Sequence, residues 1–278
     1  MNTQAKRSSE VESKLKQRLI QQAINIEENA SLYLEIESMP LNGNGKIVTS
    51  FNSVVNYPKN IEFLESDTIE ATLHSNSKAG VLVSCSHRRA GGGWLSGSLA
   101  QEESVSRVSS WAVQAGLPEF KSWYEEKKPL FWLGQTGALV IDGLIIVDEN
   151  FKELVKSKQV IFAGVAAANK GSLNNDIHWD SDQGKKQRKE QLIHSLACSF
   201  YEFNQREVTD VILCAFGTNV FGWKFEESLE VLFEASKLST TKLNLKCAVC
   251  SPEKVELAKE IYQKLMNQEQ TSKKKIKP

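Results

Sequence analysis

The sequence has little with which to bind by net charge, metal or cross-link. Lysine plus arginine and aspartate plus glutamate each number 34 in 278 residues, so no overall field draws the chain to nucleic acid or an anionic membrane. Any anion site must be local. The four histidines, His74, His87, His178 and His194, have no ligand spacing, and no metal is expected. Five cysteines, Cys85, Cys198, Cys214, Cys247 and Cys250, are an odd number without framework spacing. With no apolar leader in MNTQAKRSSEVESK, they favour a reduced compartment: the cytoplasm, or a host cell reached by specialised secretion. Cys247 and Cys250 form a lone C-x-x-C inside LKCAVC, which reads as a packed strand. No run reaches the roughly eighteen apolar residues of a membrane helix. Neither a P-loop nor a Rossmann fingerprint occurs, and no cofactor is expected.

What is present suits one large domain. With 41% hydrophobic residues, a chain of this length buries about 70–75% of its unfolded surface. The pattern EVESKLKQRLIQQAINI, Ser8 to Ile26, predicts an amphipathic helix within an N-terminal extension, 1–44. LNGNGKI breaks the chain before the main domain, 45–266, and the polar segment NQEQTSKKKIKP reads as a frayed tail, 267–278. SVVNYP to IEFLESD reads as extended, and TIEATLHSN as helical. Strands are expected at Gly80–Ser86, as short pieces between glycine turns in FWLGQTGALVIDGLIIVDEN, and at Gln159–Asn169, Val208–Gly217 and KLNLKCAVC. Helices are expected over Lys185–Gln205, with an apolar stripe at Leu192, Leu196 and Phe200, over FEESLEVLFEASK, and from Pro252. This alternation predicts a three-layer α/β/α domain around a mixed, largely parallel sheet.

Two loops in that pattern carry chemistry. Gly91, Gly92 and Gly93 follow the Gly80–Ser86 strand, and after seven residues come Gln101, Glu102 and Glu103. Residues without Cβ reach φ > 0 and bring backbone N–H groups close to a phosphate. Ser98 and Gln101 have the spacing of a capping box, so a helix N-terminus should lie beside the loop. Glu102 and Glu103 then point about 100° apart and cannot share one task. The second loop is Gly217, Thr218, Asn219, Val220, Phe221, Gly222, between a buried strand and a helix, where amides again can hold an anion. Phe221 serves either as a wall against a ligand or as the loop's anchor in the core. Trp94 and Trp223 each follow one of the loops and read as core or as frame. His178, Trp179 and Asp180 lie in a polar connection.

The GGG, seven-residue spacer and QEE, continuing through AQEESVSR to Arg107, resemble the signature of microbial-type poly(ADP-ribose) glycohydrolases. The resemblance implies a macrodomain-like fold that binds ADP-ribose and cleaves a ribosyl glycosidic bond, working as a monomer. The substrate would be an ADP-ribosylated protein or an ADP-ribose polymer. It implies Glu103 as the acid, protonated through burial beside the ligand diphosphate, Glu102 on ribose hydroxyls, and Gln101 as a brace. GTNVFG is similar to the family's diphosphate loop, with Asn219 in place of a glycine, and Asn tolerates left-handed φ. Ala167, Ala168 and Asn169 resemble a segment bordering the nucleotide, without its proline. Arg89 and Ala90 stand where the family has Asn-Pro. Arg88 and Arg89 would meet phosphate, meet a substrate carboxylate, or stay solvated. The departure favours a single protein-linked ADP-ribose at least as much as a polymer. An ADP-ribose reader without turnover is the alternative from another class, although such readers lack adjacent glutamates.

Overall fold

The structure, a computed structural model, describes residues 45–52, 60–75, 78–124, 136–148, 153–172, 178–218, 220–238 and 243–276. The helix expected over Ser8–Ile26 and the extended reading of Ser53–Pro58 lie outside them. Seven strands form one sheet: β1 Lys46–Val48, β2 Ile61–Leu64, β3 Ala79–Ser84, β4 Ala138–Val147, β5 Glu153–Val165, β6 Asp210–Leu213 and β7 Asn244–Ala248, in the order β1-β4-β5-β3-β6-β7-β2. Pairings of β3 with β5 and β6, and of β7 with β6 and β2, are parallel. Those of β4 with β1 and β5 are antiparallel. The expected mixed, largely parallel sheet is the one observed.

Alternation along β3 explains the layers. Successive strand side chains point to opposite faces. Leu82 therefore packs with Leu192, Leu196 and Phe200 of α4, Asp182–Gln205, in a core shared with α5, Phe225–Lys237, and α6, Pro252–Ile276. Val81 and Val83 face the other way, toward Ile69 of α1, Thr68–Leu73, Val105 of α2, Gln101–Val108, and Trp111 of α3, Trp111–Ala115. Burial on both faces is why β3 and β6 are apolar without polar alternation. Local signals fix the helix starts. Asp67 caps α1 by accepting from Ile69 and Glu70 N–H, and Ser181 caps α4 by accepting from Gly184 N–H.

Two sequence expectations change. The glycine-separated short strands before Asp148 are a single strand, β4, with Gly143 in its interior. The Phe162 ring and the Ser110 hydroxyl occupy the space of a Cβ there, so this glycine marks a close approach and not a turn. The polar segment from Asn267 to Ile276 continues α6 instead of fraying. Its Gln, Glu and Lys residues favour helix, and Glu269 pairs with Lys237 of α5 at 3.4 Å.

The packing at Gly143 gives a test of the core. Gly143→Val is expected to lower unfolding free energy by about 1–3 kcal/mol through overpacking, read as a lower denaturant midpoint at unchanged slope.

Candidate active site

Strands β3 and β6 are neighbours running the same way, so the loops leaving their C-terminal ends emerge side by side. That end of a parallel sheet is where ligands bind in open α/β folds. A cleft of about 1360 Å³ opens there. Its walls include Gly92, Gly93, Glu102 and Glu103 from one loop and helix, and Gly217, Thr218, Val220 and Phe221 from the other. The two motifs, 125 residues apart in sequence, thus face one space.

The glycine loop is folded onto the helix that follows it. Gly91 N–H donates to Glu102 Oε1 at 2.9 Å, and Gly93 N–H donates to Glu103 Oε1 at 2.8 Å. Gly92 N–H bonds the Arg89 carbonyl at 3.2 Å. All three amides expected to cradle a phosphate are therefore engaged within the protein. Their geometry needs glycine at Gly92, where φ is +56° and a Cβ would meet the carboxylates of Glu103 and Glu102.

The expected capping box is not formed. Ala100 is the N-cap of α2 and no side chain caps the helix. Gln101 turns instead to β3, accepting from Ser84 N–H at 2.9 Å and donating to the Leu82 carbonyl at 3.0 Å. The ends of a strand and a helix satisfy each other through one amide, so Gln101 braces the strand that feeds the loop. Its own helix turn receives nothing from Ser98.

The adjacent glutamates differ in surroundings. Glu102 is 2% exposed, and accepts from Ser86 N–H at 2.5 Å, Gly91 N–H, and the Trp111 indole N–H at 3.2 Å. With four acceptor sites on a carboxylate, three are filled. Burial pushes its pKa up to about 8, against the opposing pull of the Ser86 and Trp111 donors and with a smaller push from the Glu103 charge. Glu103 is 9% exposed and accepts only from Gly93, leaving Oε2 without a hydrogen-bond partner among the described residues. Of the two, Glu103 is the one with capacity toward the cleft. Burial keeps the Glu102 carboxyl protonated at neutral pH.

The second loop turns back through Gly217 and Gly222. Gly217 has φ +70° and the Trp223 ring occupies the place of a Cβ. Trp223 N–H bonds the Gly217 carbonyl at 3.2 Å, and its indole N–H bonds the Ala168 carbonyl at 2.9 Å. Asn219 lies outside the described residues. Thr218 Oγ1 donates to the Ala215 carbonyl at 3.0 Å. Val220 is 70% exposed at the cleft wall. Phe221 packs on the core with one side and lines the cleft with another, so anchor and wall are the same ring.

His87 joins the two loops by a T-shaped contact with Phe221, centroids 6.3 Å apart. Burial, aided by the Arg88 charge, lowers its pKa to about 4, so the ring is neutral at physiological pH. Neither Gly91 nor Gly222 lines the cleft, and Asn169 does not border it. Asn169 Oδ1 instead accepts from Gly171 N–H at 2.9 Å, closing the short turn Lys170–Ser172. Arg88 and Arg89 are both exposed and line the cleft, and Arg88 reaches Ser172 Oγ at 3.1 Å. Trp94 and Trp223 are buried as core residues. His178 is exposed beside the buried Trp179, away from the cleft.

Sequence reasoning missed Trp111 and the Ser86 amide as partners of Glu102. No spacing marks them, because one comes from the next helix and the other from the backbone after β3.

With this geometry in hand, comparison with known proteins is informative. The family model of the microbial-type PARG catalytic domain matches residues 3–130. That family model describes an enzyme's catalytic domain, and the segment it matches contains the glycine loop, Gln101, Glu102 and Glu103. No curated protein matches the chain. Among solved structures, poly(ADP-ribose) glycohydrolase from Thermomonospora curvata is 18% identical with TM-score 0.58, covering 89% of this chain and 88% of that one. The same enzyme bound to the inhibitor ADP-HPD has TM-score 0.60 at 19% identity, covering 74% and 78%. The glycohydrolase from Deinococcus radiodurans in complex with ADP-ribose has TM-score 0.59 at 17% identity, covering 76% and 86%. At these identities the likeness is one of fold, and the expected macrodomain-like PARG architecture is the one this chain has.

The proton on Glu102 makes stability depend on pH. Its folded pKa, about 8, lies above the ordinary 4.5, so between these values the folded chain holds a proton that the unfolded chain has released. This contribution is fully present below about 4.5 and is lost as pH rises to 8. Glu102→Gln is expected to flatten the fall in Tm across that window. Parallel Tm profiles for both proteins would contradict the assignment.

Proposed function

We propose that the chain hydrolyses the ribosyl glycosidic bond of ADP-ribosylated protein and releases ADP-ribose, a single protein-linked unit being sufficient as substrate. One observation carries the reading: a carboxylate with an unengaged oxygen, Glu103 Oε2, lies in the same cleft as a strand-to-helix loop built on Gly217 and Gly222. The matched catalytic domain supports it. So does the fold shared with the Deinococcus enzyme, whose structure holds ADP-ribose.

In this mechanism the diphosphate lies along Gly217–Gly222, while Gly92 and Gly93, lacking side chains, let the distal ribose approach the glutamates. The carboxyls of Glu102 and Glu103 flank the same point, the missing Cβ of Gly92. Two anions so placed repel, and the pair retains a proton near neutral pH. In its protonated form Glu103 gives the proton on its cleft-facing oxygen to the leaving atom as the bond from the anomeric carbon breaks, and water adds to that carbon through an oxocarbenium-like state, returning a proton to the Glu103 carboxylate. Glu102 holds the glycine loop and, being protonated, offers its O–H as a donor to a ribose hydroxyl. Arg88 and Arg89, at the cleft wall, meet the polypeptide side of the substrate.

The test is release of free ADP-ribose from defined mono- and poly-ADP-ribosylated proteins. Glu103→Gln is expected to lower kcat by about 100-fold or more while ADP-ribose still binds. Near-normal turnover by this variant would remove the assignment. Binding by the unsubstituted chain without release would make it a reader, and chain-length analysis of products separates single-unit from polymer cleavage.

A further inference from the structure

Arg107 is among the largest fully buried side chains, 1% exposed, yet it belongs to the cleft wall. A buried guanidinium is costly unless its donors are satisfied. Here Nη2 bonds the Trp94 carbonyl at 3.1 Å and also the Ser98 carbonyl. These carbonyls bracket the 3-10 turn Trp94–Ser96 that joins the glycine loop to α2. The same turn is tied to Gly93, whose carbonyl accepts from Ser96 and Ser98 N–H. Gly93 N–H in turn holds Glu103 Oε1. Residues four apart on a helix share a face, so Glu103 and Arg107 grip the two sides of one turn from one helical surface. A closed circuit results: helix, Glu103, Gly93, turn, Arg107, helix.

We infer that Arg107 is a positioning residue for Glu103, fixing the turn so that one carboxylate oxygen stays on Gly93 and the other faces the cleft. Its catalytic part rests on the proposed hydrolysis; its geometric part does not. Burial lowers the pKa of the Arg107 guanidinium, and the Glu103 charge partly offsets that effect. The other titratable groups around this cleft are Glu102 on the same helix, Arg88 and Arg89 on the glycine loop, Asp67 at the start of α1, Cys214 and Cys250 just after β6 and β7, and Lys254 in the first turn of α6. Cys214 is pushed up to about 12 by burial and carries no charge at working pH. Among the lining cations, Arg107 is the buried one.

The experiment compares Arg107→Gln, Arg107→Lys, Glu103→Gln and the Glu103→Gln/Arg107→Gln double variant in the full chain, each with its Tm. Amide exchange at Gly93 decides the geometric claim whether or not the chain has turnover. It is expected to speed up in Arg107→Gln and to be partly restored in Arg107→Lys, and unchanged exchange in Arg107→Gln overturns the inference. On ADP-ribosylated protein, Arg107→Gln is expected to lower kcat about 100-fold with little change in KM. Arg107→Lys is expected to recover part of that loss. Arg107→Gln should add little to the loss already caused by Glu103→Gln. Multiplicative losses shared between kcat and KM would mean a purely structural arginine and overturn the catalytic part. Absence of turnover in the unsubstituted chain would sink the proposed function, while Gly93 exchange would still decide the role of Arg107.

Discussion

The site depends on two carboxylates held by the main chain of the loop before them. Gly91 and Gly93 donate to Glu102 and Glu103, and each partner needs the other. A buried carboxylate without donors is severely penalised, and a glycine loop without anchors is conformationally loose. The hydrogen bonds between them remove both costs at once. The positive φ of Gly91 and Gly92, the turn bracketed by Arg107 and the depth of Glu102 all follow from that closure.

Chemistry then comes from an asymmetry between neighbours. Consecutive helical residues point in different directions, so one glutamate goes down onto Trp111 and Ser86 while the next stays at the cleft wall. The buried carboxyl holds its proton, and its neighbour keeps an unengaged oxygen. A strand-centred sheet supplies the other half: β3 beside β6 means that the acid-bearing loop and the Gly217–Gly222 loop share one opening. His87 against Phe221 ties them together with a ring that stays neutral at physiological pH.

Much of this was legible in residue order. β3, β6 and α4 could be read from apolar runs and from the stripe Leu192, Leu196, Phe200, because burial on two faces or along one helical stripe leaves a periodic trace. Gly143 misled, since a glycine required by the Phe162 ring looks in sequence like one required by a turn. Ser98 and Gln101 misled similarly: the spacing of a capping box says nothing about a strand end that competes for the same amide. Asn169 had the company of small residues expected near a nucleotide, yet its side chain closes its own turn.

The sequence by itself determined the alternation of strands and helices, the glycine positions and the pairing of two acids with a loop, because these are properties of spacing and residue type. Only the tertiary structure decided that the loop amides hold carboxyl groups, that Glu102 lies deep while Glu103 faces the cleft, and that Arg107 fastens the turn between loop and helix. Those outcomes depend on which groups lose water and which donors reach them. Such facts arise only when loop, turn and helix are packed onto one another and onto the sheet.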